Sequence, residues 1–214
     1  MEKSYRYLPY SLILIVPITI VAFYKTYIVQ FPNFSERNGT FIHIHAAISV
    51  LWIAMMIAQP FLIQSKNYKL HRTIGKLSYI VFPILILSFI PQIVRIILHD
   101  DPRGIFFPVA DMVLMVIFYI LAIYHRKNSS MHMRYMIAVV LVFLFPTLGR
   151  IWPIYFGFGN YATQNTQYLI IYSILLSLIL YDRHNKKEFK PYIIALPLFA
   201  LHQVVYHIMF GLPA

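Results

Sequence analysis

Seven stretches of about twenty apolar residues follow one another along this chain, at 8–28, 41–63, 77–98, 105–125, 133–155, 165–181 and 191–210. Each approaches the length that carries a helix across a hydrocarbon core. None alternates polar and apolar residues in the manner of a membrane β-strand, so helices are the one backbone solution that satisfies its own N–H and C=O groups in lipid. The sixth stretch is the shortest. Only 12% of the residues are charged, against roughly 25% in a soluble domain, so most of the surface is not built to face water. The expectation is an all-α, polytopic transmembrane seven-helix bundle, one integral membrane domain over 1–214, with the lipid bilayer as its first partner.

The connections fix the expected orientation. Lys3 and Arg6 precede the first span; Lys66, Lys69, Arg72 and Lys76 join the second to the third. Arg126, Lys127 and Arg134 join the fourth to the fifth, and Arg183, Lys186, Lys187 and Lys190 the sixth to the seventh, which places 13 of the 18 Lys and Arg on one side. Lys25, Arg37, Arg95, Arg103 and Arg150 are the remainder. The positive-inside rule then predicts a cytoplasmic N-terminus and an external C-terminus, in a multi-pass protein of a cell membrane. The same clustering in short connectors argues against nucleic acid as the partner of a chain of net charge +11. Phe23-Tyr24-Lys25 follows the first apolar run where a cleavage site would need small residues, which reads as a retained helix. The chain has no cysteine, so disulfides and thiolate ligands are excluded together. Prolines 17, 83, 91, 108, 146 and 197 fall inside the spans and predict kinks.

Ionisable residues within spans are the candidate site. His45 lies about one turn into the second helix from the outside, and Asp111 roughly two turns into the fourth. Arg95 closes the third helix on that side. Arg150 lies in the outer part of the fifth, and His202 and His207 in the outer half of the seventh. A charge in mid-membrane costs about 2.5–3.5 kcal/mol on insertion scales, so such groups face the interior and have partners. Asp111 has two readings: a structural ion pair with Arg150 or Arg95, or a functional carboxylate serving as proton relay, histidine partner or ligand. His202 and His207 are five apart, about 140° around a regular helix, and do not ligate one ion together without a π-bulge. One inward histidine per helix favours a cofactor bridging helices, such as haem b between His45 and His202, over a zinc site of His45, His202 and His207. The plainer alternative makes the histidines interfacial and hydrogen-bonded.

A second group sits towards the cytoplasmic ends. His71-Arg72 begins the third helix and His132-x-Arg134 the fifth; each pairs an imidazole with a guanidinium at a helix N-terminus, a field suited to phosphate, propionate or a quinone oxygen. Gln59 is placed to face the same region or to make an interhelical hydrogen bond.

Taken together, His45, Gln59, His71-Arg72-x-x-Gly75-Lys76, His132-x-Arg134-x-Met136 and Gly149-Arg150 resemble a group of bacterial predicted membrane proteins of unknown function, over about residues 41–152. That resemblance implies that these polar positions belong together and implies no activity. The order of His, Gln and HR-x-x-G is also similar to membrane b-type cytochromes of the b561 kind, which hold haem between histidines of neighbouring helices; here the third to sixth helices lack the mid-span histidines. The seven-helix plan resembles the adiponectin-receptor and ceramidase class of zinc hydrolases as well, but H-x-x-x-x-H replaces their H-x-x-x-H. The leading expectation is a haem- or metal-binding redox-type membrane protein, with His45 and His202 as ligands and Asp111 and Arg150 tuning the site. A small hydrophobic ligand or quinone is its expected substrate class. The alternatives are a metal-dependent lipid hydrolase, with Asp111 activating water, and a non-enzymatic assembly or scaffold subunit.

Overall fold

The computed structural model describes residues 2–34 and 39–211. All regular secondary structure among them is helical. Five helices are long and apolar enough to cross a membrane: α2 (Thr40–Gln64), α3 (Tyr68–His99), α4 (Phe106–Tyr124, extended to Pro102 by a 3-10 turn), α5 (Ser129–Phe156) and α7 (Lys190–Phe210). An apolar but shorter helix, α1 (Leu8–Tyr24), precedes them. Between α5 and α7 lies α6 (Asn160–His184), which has 25 residues and a polar first half.

The kinks follow from proline chemistry. A proline inside a helix lacks an N–H for the carbonyl four residues back and its ring crowds that carbonyl. α1, α3 and α5 are each divided, and the first pieces end at Ile13, Leu87 and Val142. Those are the residues four before Pro17, Pro91 and Pro146. Pro83 and Pro197 sit within helices that continue through them.

Helix starts differ from the hydropathy boundaries where a side-chain cap decides. Asn67 accepts the N–H of Leu70, and α3 therefore begins at Tyr68 rather than near 77. The basic stretch with Lys69, Arg72 and Lys76 is thus helical. Asn128 accepts the N–H groups of Ser130 and Met131 and starts α5 at Ser129. Asn128→Ala is expected to cost about 1 kcal/mol, read as a lower unfolding midpoint in detergent. The sixth span needs the largest correction. Hydropathy makes 165–181 the shortest, whereas α6 reaches from Asn160 to His184 because Gln164, Gln167 and Tyr168 turn inward and Leu169, Leu176 and Leu180 turn outward. Arg37 lies outside the described residues.

The chain divides into two compact units, 1–102 and 103–214. In the first, α2 is the hub: α1 packs on it, and so do both pieces of α3. In the second, α7 packs against α4, α5 and α6, and α5 against α4 and α6. The second unit has an apolar interior into which its polar side chains are also drawn, and an apolar exterior. Asp111, Arg134, Thr147, Gln164, Gln167, Asp182 and His202 are buried, while Ile120, Leu169, Leu180 and Ile208 are exposed. That arrangement is what a hydrocarbon solvent selects.

Candidate functional site

In the second unit, α4, α6 and α7 each bring one polar group to a common line. Asp111 stands in the second turn of α4, His202 in the second half of α7, and Tyr168 a little over two turns into α6. His202 Nε2 lies 3.2 Å from Asp111 Oδ1, and its Nδ1 lies 2.8 Å from the Tyr168 hydroxyl. A long 3.5 Å contact from Gln164 Nε2 ends on the same hydroxyl oxygen. Proton positions follow from the partners. With Asp111 ionised the carboxylate accepts, and His202 then carries its hydrogen on Nε2. The Tyr168 oxygen already accepts from Gln164, which frees its hydrogen for Nδ1. The line therefore runs Gln164 to Tyr168 to His202 to Asp111, every group donating to the next.

Aromatic packing holds the imidazole in place. Phe145 stacks on it at 4.6 Å and 12°, and Phe106 covers it at 4.7 Å and 57°. His202 is 4% exposed and Tyr168 1%, against 8% for Asp111, so the carboxylate is the most accessible end. Arg150 donates from Nη1 to its own helix at Pro146 O, 2.7 Å away, and its charge acts on the Asp111 carboxylate. Gln167 is 1% exposed, and neither of its amide atoms has a hydrogen-bond partner among the described residues. Gly149 makes room for it: a Cβ there would lie 3.3 Å from Gln167 Nε2. Buried amides are nearly always paired, which marks this as the least settled polar group beside the line.

His207 belongs to a different face of α7. Its Nε2 is 3.2 Å from Asn165 Oδ1, an oxygen that also accepts from Gln203 Nε2. The five-residue spacing thus separates the two rings as helix geometry requires. Among the described residues no group of three His, Asp or Glu side chains is arranged to hold a metal ion. An axial or metal ligand also needs a ring nitrogen, and both nitrogens of His202 are engaged by Tyr168 and Asp111. The residues around His202 do not fit a haem or zinc ligand as they stand.

The other expected residues are placed as follows. In the first unit, His45 Nδ1 is 2.8 Å from Ser88 Oγ, whose own hydrogen goes to Leu85 O at 2.6 Å. His45 is therefore the donor, its Nε2 faces Ser49 Oγ at 3.5 Å, and it ties α2 to the break in α3. His43, two residues earlier, turns instead to Tyr27. Gln59 donates to the backbone oxygen of His71 at 3.3 Å, the interhelical bond that was one of its two readings, while Arg72 is exposed. In the second unit, His132 Nδ1 donates to Ala122 O at 2.8 Å. Arg134, expected to meet an external anion, meets an internal one. It is fully buried and grips both oxygens of Asp182 at 2.7 and 2.8 Å, with Nη1 on Ser130 O and Oγ. His45 lies in the first unit and His202 in the second.

Sequence reading missed Tyr168, Gln164, Gln167 and Asp182. Gln164 stands one residue before the sixth apolar span, and Gln167 and Tyr168 lie in its first turn, where neutral polar side chains carry no charge to mark them. The signal that finds them is spacing: Gln164, Gln167 or Tyr168, Ile171 and Leu175 recur every three to four residues, the stripe of one helix face. Asp182 stands one residue beyond the hydropathy boundary.

The fold and the site define a multi-helix protein suited to a lipid bilayer, with an Asp-His-Tyr line in its second unit. No family model, curated protein or solved structure matches the chain.

Proposed function

We propose that this chain is an integral protein of a cell membrane that crosses it seven times, with the N-terminus cytoplasmic and the C-terminus external, and that it moves a proton at a site in the outer half of α4–α7. Support for seven crossings comes from α1 and α6 beside the five more apolar helices. α6 turns Gln164 and Gln167 inward and Leu169, Leu176 and Leu180 outward, so its composition understates its fit to lipid. Support for the orientation is the charge bias of the connectors.

The observation that carries the function is the continuous line from Tyr168 through His202 to Asp111. A buried imidazole that holds one nitrogen on a carboxylate and the other on a hydroxyl is placed to take up and pass on a proton. Asp111 holds the ring and compensates a positive charge on it; Tyr168 keeps its hydrogen and fixes the ring through Nδ1; Phe106 and Phe145 cover the ring. The ligand class that suits such a site is a small hydrophobic molecule whose chemistry includes a proton, a quinone among them. Ligation of haem or metal by His202 requires the ring to leave Tyr168 or Asp111, and a zinc site shared with His207 requires that ring to leave Asn165 as well. The proton reading requires no rearrangement.

The test is histidine 15N NMR of the full chain in nanodiscs across a pH series. Wild type is expected to show His202 as the Nε2–H tautomer, switching protonation together with an infrared carboxyl band that Asp111→Asn removes. Tyr168→Phe is expected to uncouple the two events. A His202 that keeps one tautomer throughout and ignores Tyr168→Phe would leave only a packing network, as in a scaffold subunit. A haem absorbance in the purified protein that His202→Ala abolishes would overturn the proposal in favour of axial ligation.

A further inference from the structure

The first unit contains a cavity that the proton site does not use. It measures about 630 Å³ and lies between the first turn of α2 and the second piece of α3, lined by Phe41, Ile42, Gln92, Arg95, His99 and, at its edge, Asp100. Gln92, Arg95 and His99 are three and four residues apart, so an amide, a guanidinium and an imidazole occupy successive turns of one helix face. The Arg95 Nε atom is buried and has no hydrogen-bond partner among the described residues. A buried N–H without a partner is costly, and the Arg95 side chain is only partly buried, so an anion from outside the fold can reach it.

Charge bias does not account for it. Basic residues near a span end ordinarily sit on the side that holds 13 of the 18 Lys and Arg, and Arg95 is at the opposite end of α3 from the Lys66–Lys76 cluster. The α2 wall adds to the same sign of field, since its first turn has no acidic residue and its N-cap is Gly39. The cavity thus presents a cation, further polar donors and a favourable dipole at the level of the lipid headgroups.

Below the cation the surface becomes a groove for hydrocarbon. An open surface groove continues from the first cavity, shares Phe41, Pro91, Arg95 and His99 with it and is otherwise lined by Ile90, Val94 and Leu98. Those three residues stand four apart, forming one stripe along the helix, and are 50%, 46% and 67% exposed. The stripe reaches from Leu98 to Ile90, about 12 Å along the axis, which is the extent of a good part of an acyl chain.

We propose that this groove binds one anionic phospholipid, its phosphodiester on Arg95 with Gln92 and His99 beside it and an acyl chain along Ile90, Val94 and Leu98. Asp100 at the water end selects the charge of the head. A second negative charge would meet its carboxylate, so a singly charged phosphodiester fits better than an inorganic phosphate dianion. The inference depends on a bilayer around the chain and is independent of the proton site in the second unit.

Native mass spectrometry of the full chain tests it, with phosphatidylglycerol and diacylglycerol, which lacks the phosphodiester, offered in equal amounts and inorganic phosphate or glycerol phosphate as competitors. Wild type is expected to retain phosphatidylglycerol about tenfold over diacylglycerol, the ratio one charge-assisted hydrogen bond supports. Arg95→Gln is expected to bring the ratio near one, and Lys69→Gln, at the other end of α3, to leave it unchanged. Val94→Trp fills the hydrocarbon groove at an exposed position and is expected to lose the lipid with Arg95 intact; it decides the matter alone if Arg95→Gln does not fold. Equal retention of the two lipids, or selectivity that survives in Arg95→Gln or Val94→Trp, would overturn the proposal. Displacement of the lipid by free phosphate at equal concentration would overturn it too, by making the cavity a site for soluble anions.

Discussion

Asp182→Ala is expected to destabilise the protein by about 3–5 kcal/mol, the usual result of stranding one half of a buried ion pair. Arg134 is fully buried, spends two nitrogens on the two Asp182 oxygens and a third on Ser130. Removing the carboxylate takes from a fully buried guanidinium the charge that meets two of its nitrogens. The companion measurement is the double variant Arg134→Met with Asp182→Leu, which removes both charges and keeps the volume; it is expected to recover most of the loss. Unfolding followed by circular dichroism in mixed micelles reads both. A loss below about 1 kcal/mol in Asp182→Ala would place this pair among exposed bridges, against its burial.

The second large effect concerns the proton site. Asp111→Ala and His202→Ala are each expected to cost about 1–3 kcal/mol, because each leaves the other group buried and short of a partner. The double variant is expected to cost little more than the worse single one, giving a coupling on the order of 0.5–3 kcal/mol. Tyr168→Phe, which removes one hydroxyl, is expected to cost about 1 kcal/mol while changing the His202 15N shift fully. Additive losses at Asp111 and His202 would show that the 3.2 Å contact carries no energy.

Much of the helical plan is legible in the sequence because lipid allows so few backbone solutions. Apolar length and charged connectors locate α2, α4 and α7 to within a few residues. Their failure at α6 has a physical cause. Hydropathy averages over the whole circumference of a helix, so inward glutamines cancel outward leucines, and Gln164, Gln167 and Tyr168 are scored as though they faced lipid. The same averaging hides the partner of Arg134, since Asp182 lies past the apolar run in sequence yet is fully buried. Asp111 and His202 are legible as candidates because a carboxylate or imidazole among apolar residues is conspicuous. What joins them is not, because helix rotation about the axis is set by packing rather than by spacing alone. Arg150 was legible for a related reason, but its bond to Pro146 O is a local matter of one helix turn.

The division of α5 at Val142 has a mechanical consequence. The piece before it holds Arg134 and is clamped to α6 through Asp182; the piece after it holds Phe145, which lies flat on His202, and Arg150. A continuous rod would transmit any shift at one end to the other. With the carbonyl ladder interrupted ahead of Pro146, the direction of the piece that carries Phe145 is set by its own packing on α6 rather than by the clamped piece before it.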